Sequence, residues 1–158
     1  MLKLLTICLF TASFLSTLNA CDGYPKSELR YLDTSPTLRG DDEDENGVRD
    51  DLDIYINTTP LTDIQKIALS QYAESLQSSL LINTSDKIAA KVAVEAEMRA
   101  LNCIYEKIPY EERQSTNVVR EIFGATFNTS PRRKAHQALG KTLDGSVIQP
   151  PNEDVCDQ

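Results

Sequence analysis

From Leu52 onward the apolar positions recur in steps of three and four, and no stretch alternates as a half-buried strand would. Leu52, Tyr55 and Ile56 share one side of a short helical segment, 48–56, which Thr58-Thr59-Pro60 stops. Thr62-Asp63-Ile64-Gln65 is a capping box, in which the threonine and glutamine side chains satisfy backbone groups of the first turn. It opens a stripe of Ile64, Ala68, Tyr72, Leu76 and Leu80, with Leu69 and Ala73 beside it, which predicts a helix of about 20 residues. Asn83-Thr84-Ser85 breaks that helix and caps the next, whose stripe is Ile88, Val92, Ala96, Ala100 and Ile104 and whose end falls near Ile108-Pro109. Ala89, Ala93 and Cys103 flank this stripe, and Val94, Met98 and Leu101 give a second apolar face, as a central helix would need. Glu111 and Glu112 open a further helix with Val118, Val119, Ile122 and Phe123 inward and Gly124 at its end. Ser130-Pro131 starts the last, with Ala135, Ala138, Leu139 and Leu143 inward and Gly145 beyond. The fold class is therefore all-α: a small bundle of about four helices, preceded by a loop and a short helix.

That loop carries the most specific chemistry in the chain. Residues 42–53 read Asp-Glu-Asp-Glu-Asn-Gly-Val-Arg-Asp-Asp-Leu-Asp, with oxygen-bearing side chains at positions 1, 3, 5, 9 and 12 and Gly47 at position 6. This is the spacing of an EF-hand calcium loop, in which alternate residues turn oxygens toward a hard cation and glycine allows the sharp turn. Asp42, Asp44 and Asn46 would give side-chain oxygens, Val48 its carbonyl, Asp50 a direct or water-mediated contact, and Asp53 the position that normally holds a longer, bidentate glutamate. Arg49 replaces the usual aliphatic residue at position 8, and Ser35 to Gly40 reads as turn and coil, so no helix enters the loop. The motif resembles one-sided thrombospondin type-3 or dockerin-like loops. A solvated acidic stretch without a metal, another metal, and a docking site for a basic partner are the competing readings.

Met1 to Ala20 reads as a signal peptide: Lys3 supplies the positive start and Leu4 to Leu15 an apolar core too short for a spanning helix. Leu18-Asn19-Ala20-Cys21 resembles a bacterial lipobox, which would place lipid on Cys21; a soluble secreted product is the alternative. Residues 21–40 then form the lipidated N-terminus and a tether, and 41–158 the calcium loop with its helical domain. The leader carries one lysine and no acid, so its removal takes the net charge from −8 to −9. That balance argues against nucleic acid as a partner. With Cys8 removed and Cys21 lipidated, Cys103 and Cys156 remain, an even number suited to an oxidising compartment. A bridge between them is expected; two separate thiols are the alternative.

Asn46-Gly47-Val48-Arg49-Asp50-Asp51, Tyr55-Ile56, Gln71-Tyr72-Ala73, Cys103, Asn128-Thr129-Ser130-Pro131 and Cys156 together resemble an uncharacterised family of proteobacterial exported proteins. The resemblance covers most of the chain after the leader and implies fold and compartment far more than activity. Chemistry beyond the loop is sparse. His136 is the single histidine and has no acid or cysteine at ligand spacing, and no G-x-S-x-G, H-E-x-x-H or Walker motif occurs. Arg132-Arg133-Lys134 reads as a solvated face or an anchor for an acidic partner. The expectation is a non-enzymatic calcium-binding adaptor, tethered to the membrane and facing the periplasm, with a protein partner. An immunity protein or inhibitor that neutralises a periplasm-acting toxin or hydrolase is the alternative.

Overall fold

The computed structural model describes residues 31–108, 114–149 and 155–157, and these form five helices with no strand among them. They are α1 (Asp50–Thr58), α2 (Asp63–Ser79), α3 (Lys87–Lys107), α4 (Gln114–Thr126) and α5 (Ser130–Thr142). The arrangement is the small all-α bundle that the periodicity predicts. No described helix is long and apolar enough to cross a membrane. The signal peptide, Cys21, Glu111 and Glu112 lie outside the described residues.

Local chemistry sets the helix limits. The Thr62 backbone N–H donates to Gln65 Oε1 at 3.1 Å, completing the capping box, while Gln65 Nε2 donates to the Lys107 carbonyl at 3.0 Å. One glutamine thus closes the start of α2 and fastens it to the end of α3. The cap of α3 is Asp86, not the predicted Asn83-Thr84-Ser85: its Oδ1 accepts from the Ile88 and Ala89 N–H groups, each at 3.0 Å. Asn83 instead closes a turn by accepting from the Ser85 N–H. Helix α4 runs through Gly124 to Thr126 before it ends.

Most of the core lies where α1, α2, the second half of α3 and α4 meet. Leu52, Leu69, Leu76, Ile104 and Ile122 are fully enclosed there, each stabilising the fold by about 1.5–3 kcal/mol. A smaller cluster of Ala90, Leu139 and Leu143 joins the start of α3 to α5. The predicted stripe of α3 departs from this geometry. Ile88 is 79% exposed and Val92 59%, and Ala96 is exposed, whereas Ala90, Ala93, Ala100, Cys103 and Ile104 are buried. Four-residue steps overshoot a helical turn by roughly 40° each, so a strict i+4 run drifts off the contact face. The buried residues follow mixed steps of three and four. Ile64, at 57% exposure, leaves α2 in the same way.

Cys103 and Cys156 are bridged, as parity suggests. The bridge holds the tail on two helices. Gln71 of α2 donates to the Val155 carbonyl and accepts from the Asp157 N–H, and Arg99 of α3 pairs with Asp157 at 2.8 Å.

Candidate metal centre

The acidic loop lies between the chain that enters at Tyr31 and the first turn of α1. Glu45 and Gly47 adopt left-handed backbone angles, φ 55° and 86°, which fold the loop back on itself. At Gly47 an added Cβ would lie 3.2 Å from the Glu74 side chain of α2, so glycine serves both the turn and the close approach. The Asp50 N–H donates to the Asp41 carbonyl at 2.9 Å and the Glu43 N–H to Asp50 Oδ1 at 3.0 Å, so the two ends of the loop are drawn together.

The folding of the loop brings the carboxylates of Asp42, Asp44 and Asp50 together, with one oxygen from each within 4.8 Å of the others. This cluster could hold a metal ion. Asp42 also accepts from the Asn46 and Gly47 N–H groups. Asn46 Nδ2 donates to Asp44 Oδ2 and Asp53 Oδ2, at 3.0 and 2.9 Å, and so draws the position-12 acid to the cluster. The Asn46 oxygen is taken by the Val48 N–H at 2.7 Å. Three of the six predicted ligands, Asp42, Asp44 and Asp50, are therefore gathered directly. Asp53 is attached through Asn46, and Val48 has its side chain buried in the core. Among the described residues, Arg39 comes to 3.9 Å of Asp42. The Asp53 carboxyl is pushed above its ordinary range, first by burial and then by the charges of Asp44, Asp50 and Asp42, against the Asn46 hydrogen bond.

Beneath the loop are two fully buried arginines that the pattern of the sequence does not reveal. Arg49, at position 8, donates Nε to Asp51 Oδ1 at 2.5 Å and Nη2 to Asp51 Oδ2 and the Ala125 carbonyl. Arg132 of α5 donates Nη2 to Asp33 Oδ2 at 2.9 Å, and Nη1 to the Asp33 carbonyl and Asn128. Arg132 is thus neither a solvated residue nor an anchor for a partner. The two pairs meet where the Asp33 N–H donates to Asp51 Oδ2 at 2.8 Å. Asp33 is held at about pH 2, below the ordinary 3.8: burial opposes ionisation, but hydrogen bonds from Ser35 and the adjacent Arg132 outweigh it.

Elsewhere, His136 stacks against Phe127 at 4.3 Å and lies edge-on to Phe123, and burial lowers its pKa. Burial likewise raises the Glu97 carboxyl, with Ser79 acting against the rise. No family model matches the chain, and no curated protein or solved structure shows significant similarity to it.

Proposed function

We propose that the acidic loop is a calcium site and that the protein is a non-enzymatic, calcium-stabilised binding or adaptor protein of the bacterial cell envelope. In this reading lipid on Cys21 holds it at the membrane and the helical domain faces the periplasm, where it meets a protein partner. The family of exported proteobacterial proteins that its residues resemble fits that placement. The observation that carries the calcium reading is the convergence of Asp42, Asp44 and Asp50 in a loop whose ligand phase continues to Asp53. Hard oxygen donors and no nitrogen or sulfur favour calcium over softer metals. Asn46 would present its oxygen in place of its Nδ2, and the carbonyl of Val48 would complete the set. Calcium supplies positive charge that cancels the repulsion among the carboxylates. The chain's own residues set the turn and hold the loop against α2.

Calorimetry on the full chain should detect one calcium site. It should be weaker than tight cytosolic buffers, because Asp53 is shorter than glutamate, and fall nearer the 10⁻⁴–10⁻³ M typical of extracellular modules, roughly. At ten times the dissociation constant, binding should add about 1.4 kcal/mol of stability. A melting temperature that neither calcium nor chelator moves would defeat this reading.

A further inference from the structure

Helices α4 and α5 border an open groove of about 530 Å³. One wall of it is aromatic. Phe123 of α4 and Phe127 just beyond that helix meet edge to face at 4.7 Å, and His136 of α5 stacks on Phe127 at 4.3 Å. Phe123 is still 40% exposed. His136 is held by these ring contacts, and its enclosed Nδ1 has no hydrogen-bond partner among the described residues. At Gly124 an added Cβ would meet no atom within 4 Å, so the space above α4 is open.

Arg133 stands at the edge of this wall. Its Nη1 donates to the Phe127 and Asn128 carbonyls, at 3.2 and 2.7 Å, which fixes the guanidinium beside the rings. Its Nε and Nη2 bond to no described residue. Arg133 and Lys134 are both exposed, and neither pairs with a described acid. Helix α5 carries Arg132, Arg133, Lys134 and Lys141 and no acid, in a chain whose net charge is −8. We infer that this groove docks an acidic segment of a protein partner, seating one of its aromatic side chains against Phe123 and His136 and a neighbouring carboxylate on Arg133. An exposed ring gains from a second ring, and a guanidinium already held in place loses little freedom on pairing with a carboxylate. A small free acid would have to be enclosed over most of its surface, which a groove open on one side cannot do; a peptide covers the opening with its own backbone. An anionic membrane would be opposed by the charge of the whole chain, whereas a short acidic segment meets only the nearby cations. The groove shares no residue with the acidic loop, so this inference goes beyond the calcium reading and does not depend on it.

Titration of the full chain with the peptide acetyl-Glu-Asp-Phe-Asp-Glu-amide, followed by amide NMR shifts, tests it. Binding should saturate and should move the amides from Phe123 to Asn128 and from Arg133 to Gln137, while those from Ala68 to Leu76 stay in place. Replacing the peptide's phenylalanine by alanine should weaken binding by about tenfold or more. Gly124→Leu, whose Cβ meets nothing but whose side chain occupies the groove, should do the same. Arg133→Gln should weaken binding by about tenfold. The change in the peptide needs no folded variant, so it decides even where a substituted protein fails to fold. No saturable binding, equal binding of the alanine peptide, or equal binding by folded Gly124→Leu overturns the proposal. Phenylacetate bound as tightly as the peptide also overturns it, in favour of a small-molecule site. The same shifts with phosphatidylglycerol vesicles, and none with the peptide, overturn it in favour of a membrane surface.

Discussion

The two ends of α3 are built from similar sequence and held in different ways. Near its C-terminus Ala100, Cys103 and Ile104 lie inside the main core, the disulfide joins, and Gln65 is bonded to Lys107. Near its N-terminus only Ala90 is fully enclosed, against Leu139 and Leu143, while Ile88 and Val92 face outward. Helix α5 repeats the contrast: Arg132 at its start is locked into a buried ion pair with Asp33, and Leu143 at its end rests in the small cluster. The acidic loop lies at the crowded end. Helical propensity does not separate these regions; what packs on each face does.

The contrast would be broken most severely at Arg132. Arg132→Met leaves Asp33 buried without its partner and should cost about 3–5 kcal/mol, read by denaturant unfolding. A loss below about 1 kcal/mol would mean that the ionic network does not distinguish this end. Reduction of the Cys103–Cys156 bridge comes next. The chain-entropy argument for a loop of this size gives up to about 4 kcal/mol, and exchange should rise first at Val155 to Asp157. Alkylation of two thiols in the unreduced native protein would contradict the bridge.

Acid should probe the same end more gently. Asp33 has its carboxyl held at about 2 in the fold against an ordinary 3.8. Its contribution is complete above about pH 4 and is lost as pH falls toward 2, amounting to about 2 kcal/mol. In Asp33→Asn that part of the acid sensitivity should vanish; an unaltered acid limb would assign it to other groups. The smallest effect is expected at the open end. Ile88→Ser removes an exposed side chain and should change stability by less than about 0.5 kcal/mol. A loss above about 1 kcal/mol would show that Ile88 is covered in solution.

The helices are legible in the sequence because their signals are local. Thr62 and Gln65 mark a start, and Leu52, Tyr55 and Ile56 mark a buried side, each within one or two turns. The acidic loop is legible for the same reason: its pattern of acids and glycine spans twelve consecutive residues. The exposed half of the α3 stripe misleads because the direction of a helical face depends on its neighbours, and alanines at 90 and 93 allow those neighbours to approach closely. The Asp33–Arg132 pair is invisible to local reading. Its partners lie 99 residues apart, and neither residue type announces burial.

That separation has a consequence for the order in which the molecule assembles. The acidic residues of the loop leave the ribosome early, but the Asp33–Arg132 pair beneath them waits for α5, and the tail waits for Cys156. Contacts so distant in sequence must pay a large closure entropy and form slowly. The turn bonds within residues 41–53 are local and need no such closure, whereas the Asp33–Arg132 pair beneath the loop forms only once the last helix has docked.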